Sequence, residues 1–66
     1  MVVTINGEKK EFAGPLTLSG LLAHLELAGK PVAVEVNRKV IRKTDHEGHQ
    51  LHEGDMIEIV QFVGGG

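Results

Sequence analysis

The rhythm of hydrophobic and polar positions changes several times along the chain. Val2-Val3-Thr4-Ile5 is an unbroken β-branched run, the side-chain type that fits a pleated surface. It meets Asn6-Gly7, a pair that tolerates the two positive φ angles of a two-residue hairpin loop, so Glu8 to Phe12 is predicted to return antiparallel. The charges in that returning segment suit a sheet edge, because charge discourages pairing with other chains. From Leu18 the period lengthens. Leu18, Leu21, Leu22 and Leu25 recur at the i, i+3, i+4, i+7 spacing of one helical stripe, Thr17 is placed as its cap, and Gly29 and Pro31 supply stop signals. Gly20 in the first turn costs about 1 kcal/mol relative to alanine, so packing of the leucine face has to hold this helix.

Alternation resumes at Val32 to Val36, around Ala33 and Glu35, and Asn37-Arg38 offers a tight turn into the short segment Lys39 to Ile41. Residues Arg42 to His52 are polar and carry no usable period, which predicts a polar loop. After the turn Glu53-Gly54-Asp55, Met56 to Val63 reads as the last strand. The order strand, strand, helix, strand, short strand, strand predicts an α+β β-grasp fold. In it, a mixed sheet of four to five strands packs on one helix, and the last strand lies parallel to and beside the first. The reading divides the chain into a domain over residues 1–63 and a glycine tail over 64–66. Such a domain has only two layers, so one sheet face stays open.

That open face bears on function. If Ile57 and Ile59 face the helix, Val60 and Phe62 emerge on the other side, near Ala33 and near Val2 or Thr4. The result is an apolar patch leading toward the glycines, with Glu58 beside it, which is the character of a docking surface.

Composition then removes alternatives. The two aromatics are Phe12 and Phe62, and the net charge is −2, so neither a base-stacking platform nor a basic phosphate-binding surface is present and no nucleic-acid partner is expected. Without cysteine the chain has no disulfide, no thiolate metal site and no thiol nucleophile. No apolar run approaches the roughly 20 residues that span a bilayer, so no membrane partner is expected and the reading is of a cytoplasmic protein, monomeric when free. No carboxylate pair, Ser/His/Asp set or phosphate-binding glycine loop is visible, so the chain is not expected to be an enzyme or to bind a cofactor.

What remains is the end, QFVGGG. A carboxylate resists nucleophiles because oxide is a poor leaving group, and a mixed anhydride with AMP removes that obstacle. To be activated in this way, the terminal carboxylate must enter another protein's nucleotide site. Extended residues span roughly 3.3 to 3.6 Å each, so three of them project the carboxylate about 10 Å. Glycines let backbone pass through a channel that side chains would block. The plain alternative is a solvated tail, common at chain ends.

Two further clusters are weaker. His46, His49 and His52 have ligand-like spacing, but Gly48 and the absence of a helical period argue for a polar loop rather than a preoriented metal site, so no metal is expected. His24 reads as a surface residue opposite or beside the leucine stripe. Arg38, Lys39, Arg42 and Lys43 are read first as a solvated turn and edge, and second as a patch that steers the chain to an acidic surface; Glu58 and Asp55 offer the opposite charge.

Taken together, VVTINGE, PLTLSGLLAHL, VAVEVNRKVI and EGDMIEIVQFVGGG resemble the thiamin-biosynthesis sulfur-carrier family, ubiquitin-like β-grasp proteins that characteristically end in Gly-Gly. The resemblance covers nearly the whole chain, with Gly64 as an extra glycine. It implies that an E1-like adenylating enzyme uses ATP to activate the carboxylate of Gly66. Sulfur from a cysteine-desulfurase pathway then converts the adenylate to a thiocarboxylate, which thiazole synthase consumes in forming the thiazole of thiamin. Gly66 would be the sulfur-carrying residue, Gly64 and Gly65 the part threading the partner's active site, and Val60, Phe62 and Glu58 the docking contacts. A related reading is the small subunit of molybdopterin synthase, whose chains are longer and whose first loop is more elaborate than Asn6-Gly7. Carriers for cysteine biosynthesis or transfer-RNA thiolation are a further possibility.

Overall fold

The computed structural model describes residues 1–62. Gly64, Gly65 and Gly66, and the domain boundary read at residue 63, lie outside them. The elements are β1 (Val2–Ile5), β2 (Glu8–Glu11), α1 (Leu18–His24), β3 (Val32–Val36), β4 (Lys39–Ile41), a 3-10 turn at Lys43–Asp45, and β5 (Met56–Gln61). They form one mixed sheet in the order β2-β1-β5-β3-β4. β5 pairs parallel with β1, as Thr4 with Met56 and Ile5 with Ile57, and antiparallel with β3 from Val36–Ile57 to Val32–Gln61. The α+β β-grasp expected from the pattern is the fold observed.

Both hairpins follow from local chemistry. Asn6 and Gly7 have φ of 49° and 83°, and Asn37 and Arg38 have φ of 52° and 69°. These are the paired positive angles that match the right-handed twist of the flanking strands. Strand alternation sends Val3, Ile5, Val34, Val36 and Ile57 inward, where they meet Leu18, Leu21 and Leu22 of α1. At Gly20 a Cβ would stand 3.0 Å from the end of the Leu16 side chain, Cδ1, so a larger residue there requires that side chain to shift by a few tenths of an ångström.

The helix stops earlier than Gly29 and Pro31 imply. Its last residue is His24, and Glu26 takes φ 60°. The Leu27 amide donates to Leu22 O at 2.8 Å and the Glu26 amide to Ala23 O at 3.1 Å, the bond pair of a Schellman ending. The left-handed position is therefore filled by a glutamate and not by glycine. Leu25 is half-buried as a result, and Leu27 also packs against the core.

The segment from Arg42 to His52 is exposed over most of its length, as a polar loop should be, but it also serves the helix and the core. The first turn of a helix cannot satisfy its own leading amides, and here this segment does so. Leu18 N donates to His49 O at 2.9 Å and Ser19 N to His46 O at 3.0 Å, while Gly20 N donates to Thr17 Oγ1 at 3.0 Å. Leu51 is buried in the core, its amide bonded to Leu16 O. The segment lacks a hydrophobic period because its main contribution is made by backbone carbonyls. Among the described residues no helix is long and apolar enough to cross a membrane.

A left-handed L-residue other than glycine costs about 1–2 kcal/mol. Glu26→Gly is accordingly expected to stabilise the fold by about 1 kcal/mol, raising the thermal midpoint by about 4–8 °C. Calorimetry of the two proteins checks this, and an equal or lower midpoint for the variant would contradict the assigned helix ending.

Candidate docking face at the end of the sheet

α1 covers one sheet face over two turns and leaves the other uncovered. On the uncovered face β5 presents Met56, Glu58, Val60 and, just past its end, Phe62. Val60 and Phe62 are each 58% exposed, which places Phe62 outside the core edge. Glu58 is exposed too. Of the three residues singled out for docking, Glu58 and Val60 share one face of β5 and Phe62 follows just past its end.

Their neighbours differ in part from expectation. Val60 stands opposite Ala33, as anticipated. Val2 and Thr4 are not beside it, because the parallel register sets Thr4 against Met56, and β5 then runs on past the end of β1. At that level the flank of β5 is taken by Asn6. Past Val60, the Phe62 amide donates to Pro31 O at 3.0 Å, holding the last described residue to the β3 side.

Asn6 is a residue whose role the sequence did not disclose. Its backbone amide donates to Ile57 O at 2.9 Å, continuing the β1 ladder. Its side-chain oxygen accepts from Ile59 N at 2.8 Å, and its Nδ2 donates to Ile59 O at 3.2 Å. The carboxamide thus completes one more rung in place of a strand residue that β1 does not have. Asn37 acts comparably at the other end of β5: its amide donates to Met56 O at 2.7 Å and its Oδ1 accepts from Met56 N at 2.9 Å. A turn pattern reports Asn at both places but gives no sign of bonds reaching 53 and 19 residues along the chain.

The middle of this face carries two carboxylates side by side, with Arg38 lining the same concavity. Glu58 stands directly across from Glu35, and like charges so placed repel. Among the described residues the one ion pair joins Lys10 and Glu8 at 4.0 Å, so neither Glu35 nor Glu58 has a cation within that reach. Asp55 is not available as a second counter-charge. It is 8% exposed, and it accepts from Asn37 Nδ2 at 3.0 Å and from the His52 amide at 2.8 Å.

The basic cluster does not converge. Arg38 lines a shallow concavity with Glu35, Asn37, Met56 and Glu58, Lys39 and Arg42 line a second with Asp45 and His49, and Lys43 lines a third near the helix. The histidines are also separated in role. His46 is 7% exposed with Nε2 at 3.0 Å from Ile41 O, while His52 is exposed. Among the described residues no three side chains of metal-binding type come together. His24 lies on the surface, its ring centroid 5.4 Å from that of Phe12.

Comparison with known proteins places this arrangement. A segment of a thiazole synthase from Paramagnetospirillum magneticum is 38% identical over all 66 residues, and the chain spans 20% of that protein's length. The sulfur carrier protein ThiS of Bacillus subtilis is 46% identical over 50 residues, 76% of each chain. The crystal structure of the thiamine biosynthesis protein ThiS from Geobacter metallireducens superposes with a TM-score of 0.84 at 32% identity, covering both chains completely. The ThiS family model itself matches residues 3–66, so that the match takes in the sheet, its open face and the glycines after it, and the chain belongs to the ThiS family.

Proposed function

We propose that this chain is a sulfur carrier of thiamin biosynthesis, a protein co-substrate with no catalytic role of its own. The carboxylate of Gly66 attacks the α-phosphorus of ATP in the active site of an E1-like adenylating enzyme and displaces pyrophosphate. The acyl adenylate holds AMP as its leaving group. A thiol reductant releases hydrosulfide from the persulfide of a cysteine desulfurase, forming a disulfide, and the hydrosulfide then attacks the carbonyl carbon and releases AMP, leaving a thiocarboxylate. Gly64 and Gly65 thread the partner's channel, and Val60, Phe62 and Glu58 dock the domain.

The observation that carries this reading is the run of β5 itself. One strand, held on both flanks as far as Ile59 and on the β3 flank through Phe62, presents an exposed apolar pair and a carboxylate with no cation within 4.0 Å among the described residues, and the sequence then continues into Val63 and the glycines. A docking patch joined to the tail without a spacer fixes where the carboxylate is delivered once the patch is engaged. Thiazole formation as the destination is supported by the thiazole synthase relative, of which a segment similar to this whole chain is part. The compact Asn6-Gly7 hairpin favours the same branch over the small subunit of molybdopterin synthase.

The test is intact-protein mass spectrometry after incubation with ATP, sulfur donor and the adenylating enzyme of the same cell. Exchange of one oxygen for sulfur at the end of the chain is the expected outcome. Removing Gly66, or adding one bulky residue after it, is expected to abolish that exchange and leave the thermal midpoint unchanged. Loading of the extended chain would refute the role of the terminal carboxylate.

The docking assignment has its own check. Phe62→Ala is expected to weaken binding to the adenylating enzyme by about 1–4 kcal/mol, the range of a buried aromatic hot spot. Titration calorimetry measures it directly, and an unaltered affinity removes Phe62 from the interface.

A further inference from the structure

Beyond the docking patch and the tail, the carrier reading leaves open what sets the direction in which β5 leaves the sheet. The parallel neighbour β1 ends at Ile5, opposite Ile57, while the antiparallel neighbour β3 stays paired through Val32 and Gln61. From Ile59 onward one flank of β5 would have no backbone partner. A strand held on one flank swings about that flank, and every residue after it magnifies the swing.

We infer that Asn6 is a positioning residue for tail delivery, acting through Ile59; the inference rests on the carrier function proposed above. Its carboxamide holds both polar groups of the Ile59 peptide, the amide at 2.8 Å and the carbonyl at 3.2 Å. This is the last hold on that flank among the described residues, three positions before Phe62. On the opposite flank the last hold is Phe62 N on Pro31 O. Between them these contacts fix the strand from which the docking residues and the tail both extend. Asn6 touches no reacting atom, and its contribution is to angle. Misplacement of a reacting group by about 1 Å is enough to reduce rates by orders of magnitude.

The turn role of Asn6 and its hold on Ile59 can be separated. Glycine accepts the positive φ of the first hairpin position, and Gly-Gly is itself a favoured pair there, so Asn6→Gly keeps the turn and deletes the carboxamide. Asn37→Gly serves as the control. It likewise deletes a carboxamide bonded to β5, at the Met56 end, away from the tail.

The experiment is carrier-dependent ATP–pyrophosphate exchange by the E1-like enzyme with the full-length chain, with amide hydrogen exchange read at Ile59. For Asn6→Gly we expect Ile59 to lose protection and kcat to fall by about tenfold. KM for the carrier should stay within about twofold, because Val60 stays paired with Ala33 and the Phe62 amide stays on Pro31 O, which keeps both docking residues against β3. Asn37→Gly should lower the thermal midpoint yet keep kcat within about twofold. A merely structural role for Asn6 predicts the Asn37→Gly pattern for both variants, and that result overturns the inference. So does undiminished protection of Ile59 in Asn6→Gly, which would mean that the carboxamide does not hold it. Should Asn6→Gly fail to fold, Asn6→Asp decides: it retains the acceptor for Ile59 N but loses the donor to Ile59 O, and kcat is expected to fall about threefold at constant KM. A kcat equal to that of the unsubstituted chain again overturns the inference. Absence of exchange with the unsubstituted chain itself defeats the carrier reading and this inference with it.

Discussion

A helix of seven residues, Leu18–His24, can cover only one face of a five-stranded sheet, and the rest of the molecule is organised by that shortage. The buried set of Val3, Ile5, Val34, Val36 and Ile57 lies under Leu18, Leu21 and Leu22, and strand alternation leaves their opposite neighbours exposed in β3 and β5 and half-buried in β1. An open apolar face is thus a by-product of folding so short a chain around one helix. Its placement beside the tail follows from which strand comes last. β5 is the central strand, bonded on both flanks from Met56 to Ile59, so the exposed face leads toward the glycines from a stretch supported on both sides.

A two-turn helix is not stable by its own hydrogen bonds, and the fold compensates at both ends. At the start, His46 and His49 lend their carbonyls to the amides of Ser19 and Leu18, and Thr17 caps Gly20. At the finish, a Schellman ending is accepted although Glu26 occupies the left-handed position. The histidines in question are therefore tied to the helix through their backbones. This accounts for a segment that is rich in imidazoles without gathering them, and it separates His46, buried against Ile41 O, from His52 at the surface.

Much of this was legible in the chain, and the reason is local. The β-branched opening, the Asn-Gly turn, the leucine spacing and the alternation of the last strand each encode an element through contacts with near neighbours, and their order encodes the topology. The burial side of β5 could be read from Ile57 and Ile59, which placed Val60 and Phe62 outward. What could not be read was long-range and polar. Carbonyls capping a helix from residues 46 and 49 leave no pattern in side chains. The carboxamides of Asn6 and Asn37 look like turn residues, and the commitment of Asp55 to Asn37 and His52 looks like a free surface charge. The expectation that Val2 or Thr4 neighbours Val60 failed for a related reason: strand alternation gives the face of a residue, but only the register gives its rung.

The two asparagines show how order is distributed along β5. Each sits in a hairpin turn where a positive φ is required, and each turns its side chain onto the backbone of the central strand, Asn37 at Met56 and Asn6 at Ile59. A turn residue thereby serves as a strand residue where the neighbouring strand has run out. Between these two points β5 is bonded on both flanks; beyond Ile59 the hold on the β1 flank ends, and beyond Phe62 the sequence turns to glycine within two residues. The sequence thus changes from residues that fix a backbone to residues that would admit one, over the few positions where the proposed function has the chain pass from its own scaffold into a partner's channel.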